Sequence, residues 1–474
     1  MGRGPAPLAE HSNVDAHTQS ERRPHVKAGA SAVPAQSGEQ PRSGTARAVA
    51  YAVVRRVFEQ DAWADRALHG EARRLRLDAR ERALATQLAY GTVQRAATLD
   101  HVIERLSRRP AAKLDPPVLA ALRLGVFQLV FLDRVPPHAA VSESVELAKA
   151  DAPRGAGLVN AVLRRAAREA RRIVAALPDA TPEQAALKHS HPEWIARLWF
   201  DALGPDQARA LMEADNRPAE AVLRPNALRT TATDLAARLP AHVDGEALIL
   251  DAPFDAFSSP EWEQGLFMPQ SRAAMAVARA LAPAPGERVL DLCAAPGGKT
   301  THLAELMRNE GEIVAVERHA GRAEALRRTA RRMGASIVEV RTGDASQPQE
   351  REAYDRVLVD PPCSDLGTLA SRPDARWRKA GRPQALQELQ SRILAAGAEA
   401  VRPGGSLVYS TCTISPAENE RVVEAFLASH AEFEASDLTR DVPAWKHPTM
   451  PLALQTLPHR DRTDGFFIAR LTRR

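Results

Sequence analysis

The amino-acid sequence predicts a multidomain protein in which an all-α bundle precedes a doubly wound α/β domain. With 474 residues, the chain is too long for one hydrophobic core and should form several domains. Apolar residues keep a helical spacing from about residue 46 to residue 172. Patterns typical of buried strands, alternating with helical stretches, begin near residue 288. This alternation is typical of a parallel sheet covered by helices on both faces.

The first 45 residues differ in composition from the rest of the chain. Residues 1–45 are rich in Gly, Pro, Ser, Ala, Arg and Gln, and they lack the continuous apolar core of a secretory signal. We interpret them as a disordered basic tail. The longest apolar stretch, near Leu119 to Leu132, contains Arg123 and is shorter than the roughly 20 residues that span a bilayer. We therefore expect no membrane association.

Charge and cysteine content restrict the partners and the compartment. The 64 basic and 59 acidic residues give a net charge of +5, which favours a polyanionic partner such as nucleic acid. A solvated arginine-rich surface would give the same balance. The three widely separated cysteines predict neither a disulfide framework nor a C-x-x-C zinc site. We expect a cytoplasmic protein without a bound metal.

Acidic residues mark two helix starts within the bundle. Asp78, followed three residues later by Glu81, has the spacing of a capping box. Asp115 stands directly before Pro116 and can cap a helix whose first turn tolerates proline. These signals predict helices and their limits, but they do not indicate what the bundle does.

A strand, a glycine-rich turn and the start of a helix follow one another from Val289 to Thr300. The glycines let a ligand approach the backbone, and the helix start offers unpaired N–H groups. Glu317 stands at the tip of the next predicted strand, where an acid commonly holds the hydroxyls of a nucleotide ribose. A third strand leads to Asp344. The pattern predicts a ribose-bearing ligand.

The same turn could be mistaken for a phosphate-binding P-loop, because Gly298-Lys299-Thr300 imitates its final residues. The P-loop pattern, however, requires its first glycine at the position that Cys293 occupies. Pro296 also removes a backbone N–H group from the loop. A cofactor without a triphosphate is therefore the better interpretation.

Two cysteines follow predicted strands of the same sheet. Cys363 ends the sequence Asp-Pro-Pro-Cys, and Cys412 lies in Ser-Thr-Cys-Thr. Because ligands of open α/β sheets bind outside the carboxyl ends of the strands, both thiols are expected at the ligand-binding edge. The alternative is that both are small buried apolar residues, as cysteines often are. Spacing alone does not decide which thiol would act as a nucleophile.

Several motifs together resemble a known family. They occur in the order DLCAAPGGKT (Asp291–Thr300), DPPCS (Asp360–Ser364), YSTCT (Tyr409–Thr413) and DGFFIAR (Asp464–Arg470). This series resembles the RNA cytosine-C5 methyltransferases, and specifically the RsmB (Fmu/Sun) family. The preceding residues agree with this resemblance. The small domain that precedes the catalytic domain in this family has counterparts in Ser190–Trp194 and Leu223–Asn226. Its NusB-like helical domain resembles Pro137–Val145 and Gly157–Leu163.

The resemblance implies a domain plan and a partner. We expect a NusB-like RNA-binding domain at 46–175, a small α+β linker domain at 176–265 and a Rossmann-like class I methyltransferase domain at 266–474. The implied partner is small-subunit ribosomal RNA, before or during assembly, bound by a monomer. Another ribosomal RNA site, a transfer RNA, or a non-catalytic role as an RNA-binding adaptor remain alternatives.

The resemblance also implies catalytic roles. The RNA family uses the Thr-Cys motif for the nucleophile, here Cys412, whereas DNA cytosine methyltransferases use the Pro-Cys motif, here Cys363. We therefore expect Cys412 to add to C6 of cytosine and Cys363 to assist its release. Cytosine C5 is a weak nucleophile, so covalent activation of the ring is required. Asp360 is expected at N3 of the base, with Lys299 nearby.

Cofactor and RNA contacts are assigned by position in the same motifs. The implied cofactor is S-adenosyl-L-methionine, held by Cys293, Ala294, Ala295, Pro296, Gly297, Gly298, Lys299, Glu317, Arg322, Asp344 and Asp360. The expected RNA-binding residues are Arg224, Asn226, Arg372, Arg376 and Lys379, with Trp377 available to stack on an unpaired base. Pro361 and Asp365 depart from the family pattern, so the loop around them is less well defined by the resemblance.

Overall fold

We describe a computed structural model of the chain for residues 46–378 and 383–474. The predicted basic tail, residues 1–45, and Lys379 lie outside these residues. Within the described ranges, no helix has both the length and the apolar character that a bilayer span requires.

The N-terminal domain is a bundle of seven α-helices. They are α1 (Ala46–Gln60), α2 (Ala64–Arg74), α3 (Ala79–Gln94), α4 (Ala96–Ser107), α5 (Pro116–Phe131), α6 (Pro137–Asp151) and α7 (Ala156–Ala175). The most apolar helix, α5, packs against α1, α3, α4, α6 and α7 and buries Leu122 and Leu124 completely. The predicted all-α bundle is confirmed.

The two expected helix caps have different outcomes. The Asp78 carboxylate accepts a hydrogen bond from the Glu81 N–H group at 2.8 Å, so it caps α3 as predicted. The Glu81 side chain does not complete the capping box, because it accepts a hydrogen bond from the Ala46 N–H group instead. Asp115 precedes α5 but makes no side-chain capping bond.

The middle domain combines short helices with a four-stranded antiparallel sheet. Its elements are α8 (Pro182–His189), α9 (Glu193–Leu203), α10 (Pro205–Ala214), β1 (Val222–Pro225), α11 (Ala232–Ala236), β2 (Ala241–Asp244), β3 (Ala247–Leu250), α12 (Pro260–Glu263) and β4 (Phe267–Pro269). The strand order is β2-β3-β1-β4. Because β4 pairs with β1, the boundary predicted at residues 265 and 266 cuts one strand from this sheet.

The C-terminal domain is an α/β domain around one mixed sheet. Its strands are β5 (Arg288–Leu292), β6 (Glu312–Glu317), β7 (Val338–Thr342), β8 (Tyr354–Val359), β9 (Val401–Thr411), β10 (Phe433–Ser436), β11 (Leu454–Gln455) and β12 (Phe467–Arg473). Its helices are α13 (Arg272–Leu281), α14 (Gly298–Leu306), α15 (Ala320–Met333), α16 (Pro383–Ala400), α17 (Glu420–Ser429) and α18 (Pro458–Asp461).

The order of these strands brings the predicted site together. It is β10-β12-β9-β8-β5-β6-β7, with β11 paired to β12. The five strands expected from the sequence, β5 to β9, pair in parallel, while β10, β11 and β12 extend the sheet antiparallel beyond β9. The carboxyl ends of β5, β6, β8 and β9 therefore lie at one edge, next to each other. The predicted doubly wound α/β fold is confirmed.

Candidate active site

The loop between β5 and α14 has a conformation that its sequence makes possible. Cys293 has a φ of +69° and Gly297 a φ of +105°, and the peptide bond between Ala295 and Pro296 is cis. Arg322 donates a hydrogen bond of 2.7 Å to the Ala295 carbonyl group. The loop is therefore held from α15, and its end leads directly into the N-terminus of α14.

Gly297 is required by the protein's own packing. A Cβ atom at this position would lie 2.6 Å from Cδ1 of Leu326 and 3.3 Å from Cγ2 of Thr329, both on α15. Its φ of +105° is also one that side-chain-bearing residues rarely adopt. The glycine thus lets the loop and α15 pack in direct contact.

A buried acid in β5 also holds the start of α14, at the far end of the loop. Asp291, in β5, is 1 % exposed and accepts a hydrogen bond of 2.6 Å from the Thr300 hydroxyl group at the start of α14. Burial raises the pKa of Asp291 to about 7, although the hydrogen bond from Thr300 opposes this shift. Asp291 therefore connects the strand to the helix across the loop.

Two further acids lie at the neighbouring strand ends. Glu317 ends β6, and its Oε1 accepts a hydrogen bond from the His319 N–H group at 2.9 Å, while Oε2 lies 3.5 Å from Arg322. Asp344 follows β7 and accepts two hydrogen bonds from Ser346, which lower the pKa of the Asp344 carboxyl group. Carboxylates at these two strand ends suit the hydroxyl and amino groups of a nucleoside.

The two predicted thiols meet at the ends of β8 and β9. The Sγ atoms of Cys363 and Cys412 are 3.3 Å apart, and both residues are partly exposed. Cys412 also donates a hydrogen bond of 3.1 Å to Oδ1 of Asp365. The hydrogen bond with Cys363, together with burial, raises the pKa of the Cys412 thiol well above its ordinary value. The three side chains also lie close enough to offer a metal ion three ligand atoms.

A lysine and a carboxylate lie beside the thiols. Lys299 Nζ and Asp360 Oδ2 are 2.7 Å apart, and Asp360 Oδ1 accepts a hydrogen bond from Ser410 at 3.0 Å. Burial alone would lower the pKa of Lys299, but the neighbouring Asp360 carboxylate raises it above its ordinary value. The Lys299 ammonium group is therefore a permanent positive charge at this edge of the sheet.

Sequence reasoning missed a buried carboxylate that supports the Cys363 loop. Glu418 accepts hydrogen bonds from the Ser364 N–H group at 2.9 Å, from the Ser364 hydroxyl group at 2.6 Å and from Gln390 at 3.1 Å. Gln390 also donates to the Pro362 carbonyl group. Glu418 and Asn419 lie six and seven residues after Cys412. This short spacing was the signal in the sequence that could have placed them near the site.

Three of the expected RNA-binding residues are buried instead. Arg224 is 1 % exposed, and Asn226 and Arg376 are fully buried. Arg224 forms an ion pair of 2.8 Å with Glu305 of α14, and Asn226 donates to the Gly265 and Met333 carbonyl groups. The polar groups of these three residues are therefore used within the protein, and direct RNA contact by them stays a prediction.

The remaining expected RNA contacts lie at the rim of the site or beyond the described residues. The Arg372 side chain is 48 % exposed and lies 3.3 Å from Asp365, so it can still reach a phosphate. Trp377 does not offer a free ring for stacking, because it packs against the helical bundle and bonds to it. Lys379 is outside the described residues.

Comparison with known proteins matches a family to each of the three structural domains. The family model "16S rRNA methyltransferase RsmB/F" matches residues 278–472, the NusB family model matches residues 44–168, and an RsmF/B-like ferredoxin-like domain matches residues 191–254. A probable ribosomal RNA small subunit methyltransferase B from Synechocystis is 36% identical over 446 residues, covering 90% of this chain and 99% of the relative. The chain belongs to the RsmB/F family.

Other members of this family and a solved structure extend the match. A probable methyltransferase B from Bacillus subtilis is 34% identical over 442 residues, covering 90% of this chain and 98% of its own. The crystal structure of PH0851 has a TM-score of 0.78 at 26% identity and covers 91% of this chain and 100% of its own. The RsmB/F resemblance inferred from the motifs is confirmed.

Proposed function

We propose that this chain transfers a methyl group from S-adenosyl-L-methionine to C5 of one cytosine in 16S ribosomal RNA. The observation that carries the proposal is the pair of thiols, 3.3 Å apart, beside the Lys299–Asp360 pair and next to the loop that follows β5. Membership of the RsmB/F family supports the ribosomal RNA substrate, since its relatives are named small-subunit methyltransferases. The same loop does not suit a triphosphate, because it lacks the first glycine of the P-loop pattern.

The cofactor would be held at the carboxyl ends of β5, β6 and β7. The loop from Cys293 to Lys299 would hold its methionine part, Glu317 would bind its ribose hydroxyls and Asp344 would bind its adenine. Arg322 would hold the loop, and Asp360 would complete the site beside Lys299. When bound, S-adenosyl-L-methionine supplies an electrophilic methyl group.

The chain's own residues would activate the cytosine ring. The Cys412 thiolate adds to C6, and the electron pair of the C5–C6 double bond moves through the ring toward N3. A proton from solvent would neutralise N3, and the Asp360 carboxylate, oriented by Lys299 and Ser410, would accept a hydrogen bond from the resulting N3–H group. C5 thereby gains the electron density that methylation requires.

Release of the product requires the reverse movement of electrons. A base from solvent takes the proton at C5, the electron pair of that C–H bond restores the C5–C6 double bond, and the C6–S bond breaks so that Cys412 departs as a thiolate. Cys363 lies 3.3 Å from that sulfur and can donate a hydrogen bond to it. The assignment of Cys412 as nucleophile and Cys363 as the residue that assists release rests on the family motifs.

A denaturing gel with labelled RNA and S-adenosyl-L-methionine tests this assignment. Cys412→Ala should eliminate both methylation and any covalent protein–RNA species, because no adduct at C6 can form. Cys363→Ala should accumulate a denaturant-resistant complex, because Cys412 can still attack while release is slow. The double variant Cys363→Ala/Cys412→Ala is the control and should form no complex. A complex in Cys412→Ala alone would make Cys363 the nucleophile.

The RNA target can be identified in cells. Bisulfite-resistant cytosines should be mapped in RNA from cells with and without this gene. We expect one cytosine of 16S ribosomal RNA to lose its resistance in cells that lack the gene. Loss of resistance only in a transfer RNA or in large-subunit RNA would contradict the proposed substrate.

A further inference from the structure

The segment that carries Cys363 ends against the N-terminal helical bundle. After β8, residues 363–378 pass from the thiols across the middle domain and finish in a 3-10 turn, Pro373–Trp377, that contacts α3. We call residues 363–378 the catalytic segment. Its far end contains Arg376 and Trp377, whose side chains bond to groups within the protein.

Several direct bonds join this far end to the bundle. The Trp377 indole N–H group donates to the Val93 carbonyl group at 2.7 Å, and the Gln94 side-chain amide donates to the Ala370 carbonyl group at 3.2 Å. The Ala64 N–H group, at the start of α2, donates to the Asp374 carboxylate at 3.2 Å. The Arg378 guanidinium group also lies 3.7 Å from the Trp63 ring.

Arg376 joins the segment to all three domains at once. Its guanidinium group is fully buried and donates five hydrogen bonds of 2.9 to 3.3 Å. The acceptors are the carbonyl groups of Gln94, Ser190, Asp215 and Leu369 and the side-chain oxygen of Asn216. Because the acceptors include groups of the bundle and of the middle domain, this end of the segment is anchored to both.

The near end of the same segment touches the thiols. The Gly367 N–H group donates to the Cys412 carbonyl group at 2.9 Å, and Asp365 accepts the hydrogen bond from the Cys412 thiol at 3.1 Å. Arg372, between the two ends, lies 3.3 Å from Asp365. The anchored end and the thiols are separated by only a few residues of the segment. A displacement of the anchored end would therefore also displace the groups that contact Cys412 and Cys363.

We propose that the helical bundle positions the catalytic thiols, by anchoring the catalytic segment, in addition to any contact it makes with RNA. The inference rests on the proposed function. Gln94, Asp374 and Trp377 act through the segment and are positioning residues. A bundle that served only to bind RNA would need no bonds to residues 370–378, whereas small displacements of reacting groups reduce rates strongly, by about 100-fold for roughly 1 Å.

Two mild substitutions in the full chain test the proposal. Gln94→Met removes the bond to Ala370 with little change in volume, and Trp377→Phe removes the bond to Val93 but keeps an aromatic ring. The single-turnover rate of methyl transfer at saturating RNA and S-adenosyl-L-methionine should fall about tenfold to 100-fold. The Kd values for 16S RNA and for S-adenosylhomocysteine should stay within about twofold. The matched controls, Gln349→Met and Trp194→Phe, lie on exposed parts of the chain and should leave all three quantities unchanged.

Hydrogen exchange provides a second, independent measurement. Backbone amides in peptides from residues 363–378 should exchange faster in Gln94→Met and Trp377→Phe than in either control. A raised Kd for RNA with an unchanged single-turnover rate, or unchanged rate and exchange, would overturn the proposal. If the unsubstituted protein methylates no RNA, the proposed function fails, and the exchange experiment still decides whether the bundle anchors the segment.

Discussion

At the scale of single residues, neighbouring groups at the site shift the pKa values of Cys412 and Lys299. The proposed mechanism requires Cys412 to become a thiolate, whereas its contacts with Cys363 and Asp365 favour the protonated thiol. Lys299 is instead kept charged by Asp360. The site therefore combines a thiol whose pKa is raised with a positively charged ammonium group.

The raised pKa of Cys412 predicts a pH-dependent rate. Below its pKa, the thiolate fraction grows tenfold per pH unit, so single-turnover adduct formation should rise by up to about tenfold per unit between about pH 7 and pH 9. Because the bond with Cys363 is the main cause of the raised pKa, Cys363→Ala should move the profile to lower pH. A flat profile in both proteins would show that thiol deprotonation does not limit the reaction.

At the scale of elements, the turn between β5 and α14 depends on contacts from α15. Gly297 lets the turn approach Leu326, and Arg322 holds the Ala295 carbonyl group. The sequence alone suggested that the glycine gives room to the cofactor. The structure shows that a side chain there would first meet the protein itself.

Substitution of Gly297 should therefore weaken both the fold and cofactor binding. Gly297→Ala places a Cβ atom 2.6 Å from Leu326 at a positive φ, which should cost about 1–3 kcal/mol of stability. The Kd for S-adenosylhomocysteine, measured by calorimetry, should rise at least about tenfold, as a distorted turn loses roughly 1.4 kcal/mol or more of binding free energy. Gly321→Ala on α15, where the added methyl group meets nothing within 4 Å, is the control. Equal affinity in both variants would contradict this account of the turn.

At the scale of the whole molecule, buried arginines join the domains. Arg224 of the middle sheet bonds to Glu305, Thr301 and the Gly298 carbonyl group, all on α14, the helix that follows the proposed cofactor loop. Arg376 makes the corresponding connection between the catalytic segment, the middle domain and the bundle. The three domains thus meet through charged groups that are withdrawn from solvent.

Breaking the Arg224–Glu305 pair should destabilise the chain strongly. Arg224→Met leaves the Glu305 carboxylate buried without its partner, which typically costs about 3–5 kcal/mol. The added change Glu305→Leu should recover most of that loss, because two apolar side chains can replace a buried ion pair. Thermal and urea unfolding of the single and double variants measure the coupling. Arg229→Met, at an exposed neighbouring arginine, should change stability by less than about 1 kcal/mol.

Local patterns were sufficient to predict much of the site. The strands that precede Cys363 and Cys412, the turn before Lys299 and the acid at Glu317 all depend on short-range signals. Parallel strands place their carboxyl ends at one edge, so the meeting of the two thiols also followed from the fold class. The distance of 3.3 Å between them and the supporting role of Glu418 did not follow, because both depend on how loops pack.

The sequence by itself determined the helical bundle, the parallel sheet, the family and the residues at the strand ends, because each is encoded in periodicity or in a contiguous motif. Only the tertiary structure decided what the arginines do. The same sequence motif is compatible with an arginine that binds phosphate and with an arginine that is buried against a carboxylate. The choice depends on which distant surface covers the side chain: α14 covers Arg224, and the bundle and middle domain together cover Arg376. For polar side chains such as these, burial depends on distant segments of the chain, so a local motif does not predict it.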